Sequence, residues 1–194
     1  MAKIHPLSSS PMSVVARREI YTVWMKSLVF NSNGCTIYDS DGRIAYRVDN
    51  YDCKCSDEVY FMDHSGKTLL KVLRKKFRLF GRWEGFRYNS AKIEEEKPWF
   101  RVEKSCRIPR TGHSSEITVE AGCGKCYKIV RWANKLEYRI EDEDGRIVAE
   151  IKRKQTASGI ALGEDVLTLV LEPDVDHLLI MGLVVVCGLI NHIM

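Results

Sequence analysis

The sequence predicts a mainly β domain of about twelve short strands followed by one apolar helix. Three observations carry this expectation: short runs in which apolar and polar residues alternate, turns of the form Asp-x-x-Gly between them, and a final stretch far more apolar than the rest. A length of 194 residues fits one domain with a core large enough to need no disulfide or metal. Hydrophobic residues at 45% and charged residues at 29% exclude a disordered chain, a collagen-like fibre and a multi-span membrane protein.

Residues 1–18 are rich in Ser and Pro without periodicity and read as a flexible N-terminal arm, which leaves 19–194 as a single domain. Strands are expected at 20–26, 35–39, 43–49, 58–63, 67–73, 85–89, 99–104, 116–120, 126–131, 136–142, 146–152 and 166–171. In 43–49, Ile44, Tyr46 and Val48 fall on one face; 116–120 and 136–142 alternate in the same way, and 166–171 is almost wholly apolar.

Turn chemistry supports the count. Asp39-Ser-Asp-Gly42, Asp63-His-Ser-Gly66 and Asp142-Glu-Asp-Gly145 each lie between strand-like runs. The Asp side chain can bond its own turn, and Gly supplies a left-handed backbone conformation. Asp-x-Asp-Gly also resembles the start of a calcium loop, but the later ligands and the closing glutamate are not in place. Residues 38–48 and 141–151 form a weak repeat, which two related half-sheets or two locally similar hairpins would both produce.

The chain begins with no signal-peptide pattern, Ala2 rules out N-myristoylation, and the last residues are not a prenylation box. An intracellular, cytoplasmic protein is expected. Seven cysteines, an odd number, argue against a disulfide framework there. Cys53 with Cys55 and Cys123 with Cys126 could offer four thiolates to zinc, although one intervening residue is short for a zinc pair. Idle or buried thiols are the favoured reading, and no metal or cofactor is expected. His64 and His113 fall in turns or loops and His177 at a helix start. With no Ser-His-Asp order, glycine-rich phosphate loop or paired-carboxylate pattern, the sequence reads as non-enzymatic, without catalytic residues or an evident small-molecule substrate.

Net charge is +4, but residues 71–87 carry seven basic side chains against Glu84 alone, a local +6, so the rest of the chain is −2. Lys71, Arg74, Lys75, Lys76, Arg78 and Arg82, with the second run Lys152, Arg153 and Lys154, are the candidate sites for anionic lipid head groups. Phe77, Leu79, Phe80, Trp83 and Phe86 interleave with the first run, which suits a membrane surface. Nucleic acid could use the same combination, though no recognition motif accompanies it.

The tail is apolar without interruption from Leu178 to Ile190, 13 residues. A membrane span needs about 20, and runs of about 10–14 are more often buried helices. A helix of about 174–192 is expected, with Asp174 or Asp176 as its N-cap. A helix apolar on all sides must be buried on all sides. A barrel of about twelve strands offers one way, since about eight already suffice for side chains to fill a barrel. Gly182 and Gly188 would thin the helix where barrel side chains press in. A tail anchor is the alternative.

Several stretches resemble the LURP-one-related family of plants. They are Thr22-Val-Trp-Met-Lys-Ser-Leu28, Tyr38-Asp-Ser-Asp-Gly-Arg43, Tyr46-Arg-Val-Asp-Asn-Tyr51, Phe61-Met-Asp-His-Ser-Gly-Lys67, Leu69-Leu-Lys-Val-Leu-Arg-Lys-Lys76 and Trp83-Glu-Gly-Phe86. The resemblance covers about 14–194 and implies a closed barrel of about twelve antiparallel strands around a hydrophobic C-terminal helix, the fold shared with tubby C-terminal domains and phospholipid scramblases. By that analogy it implies a membrane-associating signalling or adaptor protein, at the plasma membrane periphery or in the nucleus, with a link to plant defence. Anionic phospholipid or phosphoinositide would be the partner. A nucleic-acid-linked factor and a tail-anchored scramblase-like protein are the alternatives.

Overall fold

In a computed structural model the chain forms twelve strands and one helix. The structure describes residues 17–26, 33–50, 57–75, 82–88, 97–104, 116–122, 124–131 and 137–191. The strands are β1 (Glu19–Trp24), β2 (Asn33–Tyr38), β3 (Ile44–Asn50), β4 (Glu58–Asp63), β5 (Thr68–Lys75), β6 (Arg82–Arg87), β7 (Phe100–Lys104), β8 (Glu116–Ala121), β9 (Cys126–Arg131), β10 (Tyr138–Asp142), β11 (Ile147–Arg153) and β12 (Val166–Leu171); the helix is α1 (His177–Ile190). Every expected strand is present. The largest displacement is in β6, which starts at Arg82 rather than at 85, because Trp83 is buried and pairs with Val102.

Each strand pairs antiparallel with the next, and β1 closes the ring on β12, with Glu19 opposite Leu171 and Trp24 opposite Val166. All odd-numbered strands therefore run one way, and the barrel has two unlike rims. The hairpins β2–β3, β4–β5, β8–β9 and β10–β11 lie at one, the hairpin rim, where β12 also ends and α1 begins. The odd strands end at the other, the far rim.

The hairpins explain why Asp-x-x-Gly recurs. In the first, the Asp39 carboxylate accepts from the backbone N–H of Asp41 at 2.9 Å and of Arg43 at 2.8 Å, while Gly42 turns left-handed at φ 77°. Asp63 and Asp142 hold Lys67 and Arg146 in the same way, at 3.0 and 2.9 Å. Because the Asp63 turn belongs to neither half of the 38–48 and 141–151 repeat, that similarity has a local cause in hairpin chemistry.

Alternation sends Val23, Ile37, Val48, Phe61, Leu70, Val102, Ile129, Ile140, Ile151 and Leu169 inward, where each is essentially inaccessible. The space they leave is filled by α1, whose residues Leu179–Gly188 are all buried. The helix is slightly shorter than expected: Asp176 is the N-cap, its carboxylate accepting from Leu179 N–H at 3.1 Å, and Asn191 closes the other end on the Cys187 carbonyl at 3.1 Å. Val184–Val186 is a β-branched run of modest helix propensity. Burial on every side, at about 1.5–3 kcal/mol per large aliphatic side chain, holds it helical.

One internal contact is unusually tight. The Phe100 ring of β7 lies between two glycines, Gly85 on β6 and Gly182 on α1; a methyl group at Gly182 would stand 3.0 Å from Phe100 Cε1 and 2.8 Å from Leu70 Cδ2. Gly182 thus thins the helix as expected.

Candidate functional site

The candidate basic residues fall on opposite walls. β5 and β11 are six places apart in the twelve-strand ring, so Lys71–Arg82 and Lys152–Lys154 do not form one patch on the barrel side. They share a rim instead: Arg74 and Lys75 end β5, Arg82 begins β6, and Lys152, Arg153 and Lys154 finish or follow β11, all toward the far rim. Lys76 and Arg78 lie outside the described residues, as do Phe77, Leu79 and Phe80.

Cross-strand carboxylates answer most of these cations. Lys71 Nζ sits 2.8 Å from Glu58, which also accepts from the Tyr60 hydroxyl, and lies over the Tyr60 ring at 5.6 Å. The Lys71 hydrogen bond holds the Glu58 carboxyl below its ordinary pKa, and the same bond raises Lys71. Glu84 is the hub of the wall: almost wholly buried, it is bonded by Arg82, with Lys75 and Arg101 each 3.8 Å away. Arg82 reaches on to Glu103 at 3.6 Å and Arg101 to Glu120 at 3.6 Å. Across the ring, Lys152 pairs with Glu150 at 2.8 Å, Arg153 with Glu164 at 3.3 Å, and Lys154 donates to the Thr22 hydroxyl. Arg74 is exposed, its guanidinium 5.9 Å from the Trp83 ring centroid. The local excess of charge along the chain is therefore much reduced in space, because Glu58 and Glu103 arrive from neighbouring strands and Glu150 shares a face of β11 with Lys152.

The hairpin rim holds a feature that sequence reasoning missed. A cleft of about 700 Å³ lies beside the start of α1, lined in part by Trp99, Tyr127, Asp142, Asp144, Asp174 and Asp176. The chain's own arginines stitch its edges: Arg87 bonds Asp176 at 2.7 Å and stacks on Trp99 at 3.9 Å, Arg146 reaches Asp142 at 2.9 Å, and Arg18 reaches Glu172 at 2.8 Å. The acidic runs near Glu141 and Asp174 are visible in the sequence, but only the pairing of β11 with β10 and β12 brings them together. His177 stands at this rim with Nδ1 3.6 Å from Glu19 and its ring edge-on to Tyr21, and His64 is exposed in the β4–β5 turn; His113 lies outside the described residues.

Cys53, Cys55 and Cys123 lie outside the described residues, while Cys126 is exposed at the hairpin rim. Asn50 and Glu58, the strand ends flanking the first pair, are at the far rim. Among the described residues no group of three or more His, Cys, Asp or Glu side chains is arranged to hold a metal ion. Cys35 and Cys187 are buried in the barrel, and burial pushes each thiol up to about 12. No helix among the described residues is long and apolar enough to cross a membrane; the segment that a tail anchor would place in lipid is inside the barrel.

A closed, twelve-stranded antiparallel barrel plugged by its C-terminal helix, with charged rims, defines the class of protein. The family model described as LURP-one-related matches residues 19–188, and the chain belongs to that family. It is 46% identical over 211 residues to Protein LURP-one-related 11 of Arabidopsis thaliana, covering 100% of this chain and 90% of that protein. Protein LURP-one-related 4 of the same plant is 43% identical, covering 100% of this chain and 88% of the relative. A crystal structure of an Arabidopsis thaliana protein has the same fold, with a TM-score of 0.63 and 18% identity over 91% of this chain and 93% of that one.

Proposed function

We propose that this protein is a non-enzymatic adaptor that associates peripherally with membranes by binding anionic phospholipid or phosphoinositide head groups at its far rim. The observation that carries the reading is that both basic runs reach the same rim, so that cations on opposite walls face one plane. A planar anionic surface can meet both at once, whereas a small ligand cannot. The more exposed pairs of the second run, Lys152 with Glu150 and Arg153 with Glu164, can exchange a carboxylate for a lipid phosphate at small cost, since surface pairs contribute about 0–1 kcal/mol each. The link to defence signalling, and the relation to membrane-tethered tubby-like factors, belong to the same proposal and rest on family resemblance.

Co-sedimentation with phosphatidylcholine vesicles, with and without phosphatidylserine or a phosphoinositide, tests it. Binding should require the anionic lipid, and Lys75→Ala with Lys76→Ala and Arg78→Ala should weaken it. No binding to anionic vesicles at physiological salt overturns the proposal.

A further inference from the structure

The hairpin joining β11 to β12 differs from the charged residues that end β5 and begin β6 at the same rim. Nine consecutive residues, Gln155–Gly163, carry no charge. Within them Ile160 is 65% exposed and Leu162 53% exposed, and Ile160 is the most exposed large apolar side chain among the described residues. The exposure is built, not frayed. Thr156 N–H donates to the Ile160 carbonyl at 2.8 Å, Gly159 N–H to the Thr156 carbonyl at 2.9 Å, and Ile160 N–H to the Thr156 hydroxyl at 3.1 Å. Leu162 N–H donates to the Lys154 carbonyl at 3.0 Å, which carries the ladder from the strand pair into the tip. Residues two apart along an extended segment share a face, so Ile160 and Leu162 project together. Lys152, Arg153 and Lys154 stand at the base of the same hairpin.

We infer that the β11–β12 hairpin is a membrane-inserting tip: Ile160 and Leu162 enter the acyl boundary of a lipid surface while the basic residues at its base stay at head-group level. This rests on the reading of the far rim as the lipid-facing end and adds an apolar anchor to it. Two aliphatic side chains on a convex tip cannot supply the roughly 800 Å² per partner that a stable protein interface buries. A fluid acyl boundary makes no such demand, since each buried apolar group adds its transfer free energy independently. The base of the hairpin also carries Glu164 and Asp165, which pair with Arg153 at 3.3 Å and Lys26 at 2.9 Å, so the match to a bilayer rests on the apolar, uncharged tip with Lys152 and Lys154 beside it.

The test uses the full chain with vesicles of 70% phosphatidylcholine and 30% phosphatidylserine. Ile160→Ser with Leu162→Ser should lower the vesicle partition coefficient at least tenfold and leave the thermal unfolding midpoint unchanged, since both side chains are exposed. Ile160→Trp should bind at least as well as the parent chain. Its added fluorescence should be quenched by phosphatidylcholine brominated on the acyl chains. If the parent chain binds but the double Ser variant binds equally well, or the I160W fluorescence is not quenched, the inserting tip is overturned while the lipid-binding reading stands. If the parent chain does not bind anionic vesicles at all, both fall.

Discussion

Gly85→Ala adds one methyl group to a place with no room for it. That methyl would stand 2.8 Å from Phe100 Cδ1 and closer still to Cε1 and Cζ, where carbon atoms ordinarily approach to about 3.5–4.0 Å. The ring must retreat by about 1 Å or more, and its way is barred: Gly182 of α1 lies against the same two ring atoms, and Phe100 is wholly buried. Overpacking of this kind costs about 1–3 kcal/mol. The upper part of that range applies, because strand and helix confine the ring from both sides. Against it stands a gain of about 0.5–1 kcal/mol from replacing a conformationally free Gly in a strand. The net is about 2 kcal/mol of destabilisation, or about 4–8 °C in Tm for a chain of this size. Urea unfolding of the parent, Gly85→Ala, Phe100→Leu and the double variant measures it. Because Leu removes the ring atoms that clash, the double variant should be more stable than the sum of the single effects, by about 1 kcal/mol or more. A Gly85→Ala variant as stable as the parent, or strict additivity, would refute the wedge between the two glycines.

Two further outcomes follow from buried and paired groups. Cys35 and Cys187, with thiols pushed up to about 12, should resist alkylation in the native state while exposed Cys126 reacts; peptide mass mapping that finds Cys35 or Cys187 labelled ahead of Cys126 contradicts the enclosed barrel. The carboxyl of Glu58, held low by the Lys71 hydrogen bond, binds fewer protons in the folded than in the unfolded chain. Its contribution is present at neutral pH and fades as pH falls below the ordinary carboxylate range near about 4.3. Lys71→Met should therefore flatten the acid limb of a plot of unfolding midpoint against pH, and an unchanged slope rejects this pairing.

The strands were legible because alternation is local and because Asp39, Asp63 and Asp142 punctuate them with side chains that bond their own turns. The plug was legible because thirteen apolar residues fall short of a membrane span, which favours a buried helix over a tail anchor. The start of β6 was less so, since Arg82 and Trp83 sit in a basic aromatic stretch whose strand character comes from pairing with β7. Nothing local marks Gly85 as the seat of an aromatic ring fifteen positions later. The candidate site was legible as charge, but its compensation was not. Lys71 meets Glu58 and Arg82 meets Glu103 across neighbouring strands, and register fixes those partners. Likewise the acidic cleft depends on β12 lying beside β11, which brings the segment after β12 to the β10–β11 turn. The apolar hairpin tip could have been found, since Gln155–Gly163 is an uncharged interval between two charged runs.

The closure of β1 on β12 and the position of α1 after the last strand have a consequence for biosynthesis. Domains assemble as the chain leaves the ribosome at about 5–20 residues per second, N-terminal parts first. Here the first strand must wait for the last, and the helix that fills the interior emerges after all twelve. Until then the nascent chain is an open, curved sheet with two bare edges and an uncovered apolar face, the state most prone to pair with its neighbours. The barrel can therefore close and fill only once α1 has emerged, so the open sheet is the form that needs protection from neighbouring chains.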